Sequence, residues 1–436
     1  MRTLRLPLAG LVAFATMLAP TQAPAIAPDS PAQTPVARTA GATATTSISR
    51  GQLCNGLAER LRRGGSRTGL FVLNASTGDV TCRARARTRR LLASNAKLYT
   101  TAAALVRFGP DDRIPTTLWT RGTVQNGVLN GSLYLVGGGD PALASPAFAA
   151  RFRGGLGTNL FALSKSVTVA GISRVTGRLF AVDTIFDRLR GVADSGFATS
   201  PYIGPLSGLQ FNSGFADSAA SRFAPDPARV AAAKLVRSLS RRGVRISARV
   251  RVGRLPQGST KIGFVRSPRM ARIVDWTNVN SDNLFAETLL KRLGAKFGGR
   301  GSTRAGAAVV ERFARSHDSA IQQVDGSGLT AAGGASPTQV GRLLAAMRAT
   351  PVDADFVESL PLAAREGTLS DRMRGTAAAG RCRAKTGTLT GVSALSGYCF
   401  NPSGKVMAFS ILMNGVSDLG RARRMQDQMA ALIARY

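Results

Sequence analysis

Residues 382–413 read CRAKTGTLTGVSALSGYCFNPSGKVMAFSILM, and this stretch decides the fold class. Two strand-like runs flank the dipeptide Thr390-Gly391, which favours a tight hairpin turn. Cys382 and Cys399 lie symmetrically about that turn. A hairpin at this point would place the two cysteines directly opposite each other, and we therefore predict that they form a disulfide.

The spacing of apolar residues elsewhere in the chain predicts both strands and helices. Period-2 runs indicate a small hairpin at 69–80 and a further strand at 406–413. Apolar residues at helical spacing predict helices at 94–108, 283–293, 304–316, 337–347 and 420–434. Strands, then helices, then strands and a final helix predict an α/β (α+β) fold, in which the C-terminal half completes an antiparallel sheet flanked by helices.

A different kind of sequence interrupts this pattern at 118–264. Short apolar runs there are separated by Asn-Gly and Gly-rich turns, which indicates strands, and one helix is predicted at 227–242. We therefore expect a discontinuous domain formed by 49–117 and 265–436, interrupted by a mainly β insert.

The N-terminus resembles an export signal. Residues 1–27 carry two arginines, an apolar run of about a dozen residues and then small residues, the layout of a secretory signal; an uncleaved anchor is the alternative. Residues 28–48 are rich in Pro, Ala, Thr and Ser, which predicts a flexible linker. We expect an exported protein, in the periplasm or in the cell wall and extracellular space, with no transmembrane segment in the mature chain. Export permits disulfides, and Cys54 and Cys82 would then form a second bridge.

The composition excludes several classes of site. The chain has 436 residues, 58 Lys plus Arg against 24 Asp plus Glu, one His and four Cys. One histidine and no Cys-x-x-Cys pair give no support for a metal site, and we expect no metal and no cofactor. The basic residues are dispersed without a nucleic-acid motif, so we expect no nucleic-acid partner. An exported cation would bind anionic wall polymers nonspecifically, but compositional drift toward arginine explains the excess equally well.

Three short motifs occur once each, in a fixed order along the chain. They are Ser94-x-x-Lys97, Ser281-Asp-Asn283 and Lys385-Thr-Gly. Singly they mean little, because a serine at a helix start is often only a cap. Their joint presence in this order points to one catalytic site.

The first motif suits a serine nucleophile with a lysine base. Lys97 lies one helical turn after Ser94 and therefore on the same face. It can remove the serine proton only if it is neutral, which burial near other cations favours. Arginine would stay charged, so the use of lysine here matters in a chain that has only eight lysines.

The other two motifs supply groups that suit peptide-bond cleavage. We predict that Ser281 relays a proton to the leaving amine and that the Asn283 amide binds a substrate carbonyl. Lys385 would anchor an anionic group or help to keep Lys97 deprotonated. The predicted substrate-binding residues on the same strand are Thr386, Gly387 and Thr388.

These residues resemble the penicillin-recognising serine hydrolases, whose three signatures have this form. More narrowly, the chain resembles the low-molecular-mass class C penicillin-binding proteins, the D-alanyl-D-alanine carboxypeptidase and endopeptidase family. The similar segments are LYLVGGGDP at 133–141, SDNLFAE at 281–287, DGSGL at 325–329, SLPL at 359–362, GTL at 367–369 and AKTGTL at 384–389.

The resemblance implies a transpeptidase/β-lactamase-like domain that cleaves peptidoglycan stem peptides through an acyl-enzyme and is inhibited covalently by β-lactams. It also implies an oxyanion hole formed by the backbone N–H groups of Ser94 and Thr388. A β-lactamase and a noncatalytic wall-binding protein of the same fold are the alternatives. In many relatives Ser-Arg follows the DGSGL segment, and that arginine is associated with binding the diaminopimelate side chain; Thr330-Ala331 follows here.

Overall fold

The computed structural model describes residues 47–436. The predicted signal at 1–27 and nearly all of the predicted linker at 28–48 lie outside these residues. The described residues pack as one unit, so the division into an interrupted domain and an insert stays a prediction.

The strands belong mainly to two sheets, one antiparallel and one mixed. In chain order the strands are β1 Thr68–Asn74, β2 Val80–Ala84, β3 Pro115–Gln125, β4 Val128–Val136, β5 Leu143–Ala144, β6 Thr158–Asn159, β7 Arg174–Val175, β8 Leu179–Val182, β9 Arg245–Ile246, β10 Arg251–Val252, β11 Thr260–Arg266, β12 Cys382–Leu389, β13 Val392–Phe400 and β14 Val406–Asn414.

The helices cover both faces of the first sheet and one face of the second. In chain order they are α1 Arg50–Arg63, α2 Ala96–Phe108, α3 Pro146–Arg153, α4 Leu163–Val169, α5 Pro227–Ser240, α6 Met270–Val279, α7 Asn283–Phe297, α8 Thr303–Ser316, α9 Pro337–Arg348, α10 Asp353–Glu358 and α11 Leu419–Ile433. None of the helices in the described part of the chain is long and apolar enough to cross a membrane.

The first sheet joins the two ends of the described chain in the order β12-β13-β14-β1-β2, with antiparallel neighbours. This confirms the predicted antiparallel sheet. Cys382 pairs with Cys399 across the β12–β13 hairpin and the two are bonded, as predicted. The second predicted bridge, Cys54–Cys82, is also present and ties α1 to β2. Strand β12 lies at the edge of the sheet. Its first residues pair with residues 361–363, so the edge that is left for a ligand is at residues 386–388.

Two hydrophobic cores hold helices against this sheet. Helices α1 and α11 pack together on one face, and α2 and α9 lie on the other. The sequence analysis missed α1. Its buried Leu53, Leu57 and Leu61 recur every four residues, but charged and polar residues separate them, and the packing of α1 on α11 stabilises the helix.

The second sheet comes entirely from residues 115–266 and has the order β10-β8-β4-β3-β11. Its central hairpin turns at Asn126-Gly127, where both residues have positive φ, as expected for an Asn-Gly turn. The prediction of a mainly β segment with one helix was incomplete, because α3 and α4 lie there as well as α5. These two helices have only eight and seven residues, too few for helical periodicity to stand out from the surrounding strands.

Candidate active site

Ser94 and Lys97 lie where the chain enters α2. Residues Ala93–Asn95 form one 3-10 turn, and α2 begins directly after it. The Lys97 side chain is fully buried and its Nζ donates to three oxygens. These are Ser94 Oγ at 3.0 Å, Asn283 Oδ1 at 2.7 Å and the carbonyl of Ser327 at 2.8 Å.

This set of acceptors suits a neutral amine as well as an ammonium. A neutral Nζ has two N–H bonds and one lone pair. If the Asn283 amide oxygen and the Ser327 carbonyl take the two hydrogens, the lone pair is left for the Ser94 hydroxyl. Lys97 can then accept the proton of Ser94, which is the chemistry that an activated serine requires.

Burial favours the neutral form of Lys97. It lowers the pKa of Lys97 from 10.5 to about 8, and three carboxylates, those of Glu287, Asp325 and Asp282, oppose this shift. A fraction of Lys97 is therefore uncharged at neutral pH. Its pKa lies near the operating pH, where a general base works best.

The second motif contacts the first, because Asn283 accepts a hydrogen bond from Lys97. Ser281 has a positive φ of 56°, a backbone strain that is often found at functional sites. Asp282 caps α7 by accepting the N–H of Phe285, so Asn283 becomes the first residue of the helix. The Asn283 Nδ2 donates one hydrogen to the carbonyl of Tyr202 at 3.0 Å. The amide is therefore held from both sides and keeps a second N–H for a substrate.

The third motif reaches Ser281 through Lys385. Lys385 is fully buried, and its Nζ donates to Ser281 Oγ at 2.8 Å and to the carbonyl of Thr386 at 3.0 Å. Burial, and then the nearby Lys97 charge, lower the pKa of Lys385 well below its usual value. The charge of Lys97 therefore disfavours the charged form of Lys385, and the effect of Lys385 on Lys97 stays a prediction.

The edge strand β12 is held against the 3-10 turn that carries Ser94. The Asn95 Nδ2 donates to the carbonyl of Lys385 at 3.0 Å. Gly387 leaves no room for a side chain, because a Cβ there would lie 2.6 Å from the carbonyl oxygen of Leu92. Thr386 is half-buried and its hydroxyl bonds that of Thr368 at 2.9 Å.

Thr388 is exposed, and Arg423 on α11 donates to its hydroxyl at 3.5 Å. Hydroxyls and one cation therefore line the open edge of β12. All the residues predicted for the site converge here.

The sequence analysis gave no role to Glu287, which the structure places beneath the site. Its fully buried carboxylate accepts the N–H of Gly326 at 3.0 Å and that of Ser327 at 2.7 Å. Burial, and then Asp325, raise the pKa of Glu287. Glu287 thus fixes the residue whose carbonyl holds Lys97. A carboxylate within an otherwise apolar helical run was the available sequence signal.

Tyr202 was also missed. It belongs to the long segment between β8 and α5, and its backbone carbonyl holds Asn283 while its side chain is 72% exposed. No sequence pattern could reveal it, because the group in use is a backbone oxygen. No cluster of potential metal ligands occurs anywhere in residues 47–436.

Penicillin-recognising serine hydrolases carry these same three motifs, and the fold and the convergence of the motifs define this chain as one of that class. The D-Ala-D-Ala carboxypeptidase 3 (S13) family matches residues 52–222 and 211–436, which together span most of the chain. The chain belongs to this peptidase family.

Named relatives agree with this assignment. A D-alanyl-D-alanine carboxypeptidase from Actinomadura sp. (strain R39) is 29% identical over 460 residues, which cover 85% of this chain and 82% of that protein. Carboxypeptidase DacB from Mycolicibacterium smegmatis is 30% identical over 385 residues, covering 83% and 79%. Penicillin-binding protein 4 from Haemophilus influenzae has a similar fold, with a TM-score of 0.70 at 20% identity over 86% of this chain and 97% of that one.

Proposed function

We propose that this protein is a serine-type D-alanyl-D-alanine peptidase that cleaves peptidoglycan stem peptides through an acyl-enzyme on Ser94. The observation that carries the proposal is the environment of Lys97. Its buried amine donates to the Asn283 amide oxygen and the Ser327 carbonyl. The lone pair of the neutral amine is then left for Ser94 Oγ, 3.0 Å away. Family membership supports the type of bond that is cut.

Acylation begins when the neutral amine of Lys97 takes the proton of Ser94. The Ser94 oxygen bonds to the carbonyl carbon of the penultimate D-alanine, and the negative charge that develops on the carbonyl oxygen is held by the backbone N–H groups of Ser94 and Thr388. The C–N bond then breaks. Ser281, oriented by Lys385 at 2.8 Å, passes its proton to the leaving amine and regains one from the Lys97 ammonium, so that Lys97 is neutral again before water attacks.

Deacylation reverses these proton movements. Water attacks the ester carbonyl, and Lys97 accepts the proton of the water. The C–O bond to Ser94 breaks, and the serine recovers its proton from Lys97. No metal or cofactor is required for any of these steps.

The edge of β12 supplies the substrate-binding groups. An extended peptide beside this edge would gain backbone hydrogen bonds. The Thr386 and Thr388 hydroxyls are available for a carboxylate at the end of the peptide. The Asn283 amide binds a carbonyl closer to the scissile bond.

β-Lactams fit the same scheme, because their strained amide carbonyl is attacked by the same serine. The acyl-enzyme is then released slowly and the protein is inhibited. We also propose that the protein acts outside the cytoplasm, where its polymer lies. Two disulfides in the described chain support export.

A fluorescent penicillin tests the acyl-enzyme. The parent protein should form a covalent adduct that mass spectrometry maps to Ser94, while Ser94→Ala and Lys97→Arg should form none. Lys296→Arg, an exposed lysine on α7, is the matched control and should label normally. Labelling of Ser94→Ala, or normal labelling of Lys97→Arg, would contradict the mechanism.

Digestion of purified muropeptides then identifies the reaction. Loss of a terminal D-alanine indicates a carboxypeptidase, and separation of cross-linked dimers indicates an endopeptidase. Rapid release of hydrolysed antibiotic without muropeptide cleavage would instead identify a β-lactamase. Binding to the polymer without either reaction would identify a noncatalytic wall protein.

A further inference from the structure

An aromatic row with a cation at each end crosses the second sheet. The registers of its strands place one residue from each strand in line: Lys261 on β11, Trp119 on β3, Tyr134 on β4, Phe180 on β8 and Arg251 on β10. With neighbouring strands about 4.8 Å apart, four intervals make the row about 19 Å long.

The row lies on the face that helices do not cover. Residues next to the row along each strand point to the opposite face, where Leu118, Leu133 and Leu179 are buried against α4 and α5. On the row side, Lys261 and Arg251 are exposed, Trp119 and Phe180 are half-buried and Tyr134 is buried, so the two ends of the row are its accessible parts. Phe264 lies three residues after Lys261 on β11 and pairs with Thr117, two residues from Trp119 on β3. It is 52% exposed.

The rings and cations are already arranged against one another. Tyr134 and Phe180 stack with their ring centres 5.0 Å apart. The Lys261 ammonium lies 5.9 Å from the centre of the Trp119 ring and 6.0 Å from that of Phe264. The row therefore offers the ring surface of Trp119 and Phe264 beside a positive charge.

Negative charge is missing from this face. The five strands that build the row contain no Asp or Glu. Among residues 47–436, no carboxylate forms an ion pair with Lys261, Arg251 or Arg266, whereas other arginines such as Arg372 are paired. Charge complementarity therefore favours an anionic partner.

We propose that this aromatic row binds the glycan strand of peptidoglycan. The apolar C–H face of a sugar packs on an aromatic ring, and the carboxylates of the attached peptides are attracted by cations at the ends of the row. A linear polymer can contact both exposed ends of the row, which lie about 19 Å apart. The identity of the polymer rests on the proposed function, while the surface itself is separate from the active site.

Cosedimentation with purified sacculi tests the proposal. All proteins carry Ser94→Ala so that the polymer is not digested, and attached phosphate-containing polymers are removed beforehand. The double variant Lys261→Gln/Phe264→Ser removes one cation and one exposed ring. We expect it to bind sacculi about tenfold more weakly, since each such contact contributes about twofold to fivefold.

The matched control is Lys405→Gln/Phe152→Ser. Lys405 also lies over an aromatic ring, that of Tyr436 at 5.0 Å, and Phe152 is 38% exposed, but both are outside the row. This variant should bind within twofold of the parent. The melting temperature, and penicillin labelling in the Ser94 form, should be unchanged in both variants, which separates failure of this proposal from failure of the proposed function.

Three results would overturn the proposal. The row variant could bind sacculi as tightly as the control. The parent could bind single-stranded DNA or inorganic polyphosphate as tightly as sacculi, which would make the row a general polyanion surface. Sedimentation could also reveal a dimer that the row variant loses, which would identify a second copy of the chain as the occupant.

Discussion

Substitution of Glu287 by glutamine should remove the negative charge beneath the site and keep a side chain of nearly the same shape. The carboxylate of Glu287 holds the N–H of Ser327, and the amine of Lys97 holds the carbonyl of the same residue. Removing the negative charge removes one of the influences that favour the Lys97 ammonium. The pKa of Lys97 should therefore fall below its present value of about 8.

The size of this effect follows from the separation of the charges. The backbone of Ser327 and two hydrogen bonds place the charges about 7 Å apart. At an effective dielectric constant of about 20, their interaction is about 2 kcal/mol, or about one and a half pKa units. Asp325, Asp282 and Lys385 also face Lys97 and are unchanged in the variant.

The assay is the rate of penicillin acylation between pH 5 and pH 10. The parent rate should rise with pH to a plateau, with a midpoint near 8, because the neutral amine is the reactive form. In Glu287→Gln the midpoint should move to about 6.5. The plateau should fall about tenfold, because the Ser327 carbonyl is held less firmly.

Glu311→Gln is the matched control. Glu311 also accepts a backbone N–H from the same loop, that of Gln323 at 3.0 Å, but it is not among the carboxylates that influence the pKa of Lys97. Its midpoint should stay near that of the parent. Glutamine at 287 leaves one buried N–H without an acceptor, so the variant should lose about 1–3 kcal/mol of stability. A midpoint that stays near 8 or rises in Glu287→Gln would refute the reasoning.

Three further predictions concern packing, titration and cross-linking. Gly387→Ala places a Cβ 2.6 Å from the Leu92 carbonyl oxygen, so the two backbones must move apart, penicillin acylation should fall at least about tenfold and the melting temperature should fall; normal acylation would contradict the close approach. Burial raises the pKa of Asp140 from 3.8 to about 6, so the folded state binds the proton more tightly and the free energy of unfolding falls as pH rises between these values. Compared with Asp140→Asn, the parent should lose about 2 kcal/mol between pH 4 and pH 7 in urea titrations, and parallel pH curves would exclude the effect. Replacing Cys382 and Cys399 by alanine opens a loop with a sequence separation of 17 and should cost about 3 kcal/mol, measured by denaturant midpoint; an unchanged midpoint would show that the bridge adds nothing.

The predicted sheet and site residues came from local patterns that the structure preserves. The hairpin around Thr390-Gly391 was predictable because turn chemistry and strand alternation agree over a short range. That agreement also fixed the opposition of Cys382 and Cys399. Lys97 and Lys385 stood out because lysine is scarce in this chain, and both are fully buried.

Other features depend on contacts between distant segments. The sequence of α1 has only a weak helical pattern. The helix is stabilised by packing on α11, more than 350 residues away in the chain. The parallel pairing of β4 with β8 was not predicted either, because strand partners are selected by the packing of α4 and α5 beneath them.

The sequence by itself identified the proposed nucleophile and base, the three motifs and both disulfides, because each depends on residue type and short spacing. Only the tertiary structure decided that Asn283 and the Ser327 carbonyl share the hydrogens of Lys97, that Glu287 fixes Ser327, and that Tyr202 holds Asn283. Two of these contacts use backbone atoms, which every residue carries. Backbone atoms acquire a role only when folding brings them to a partner.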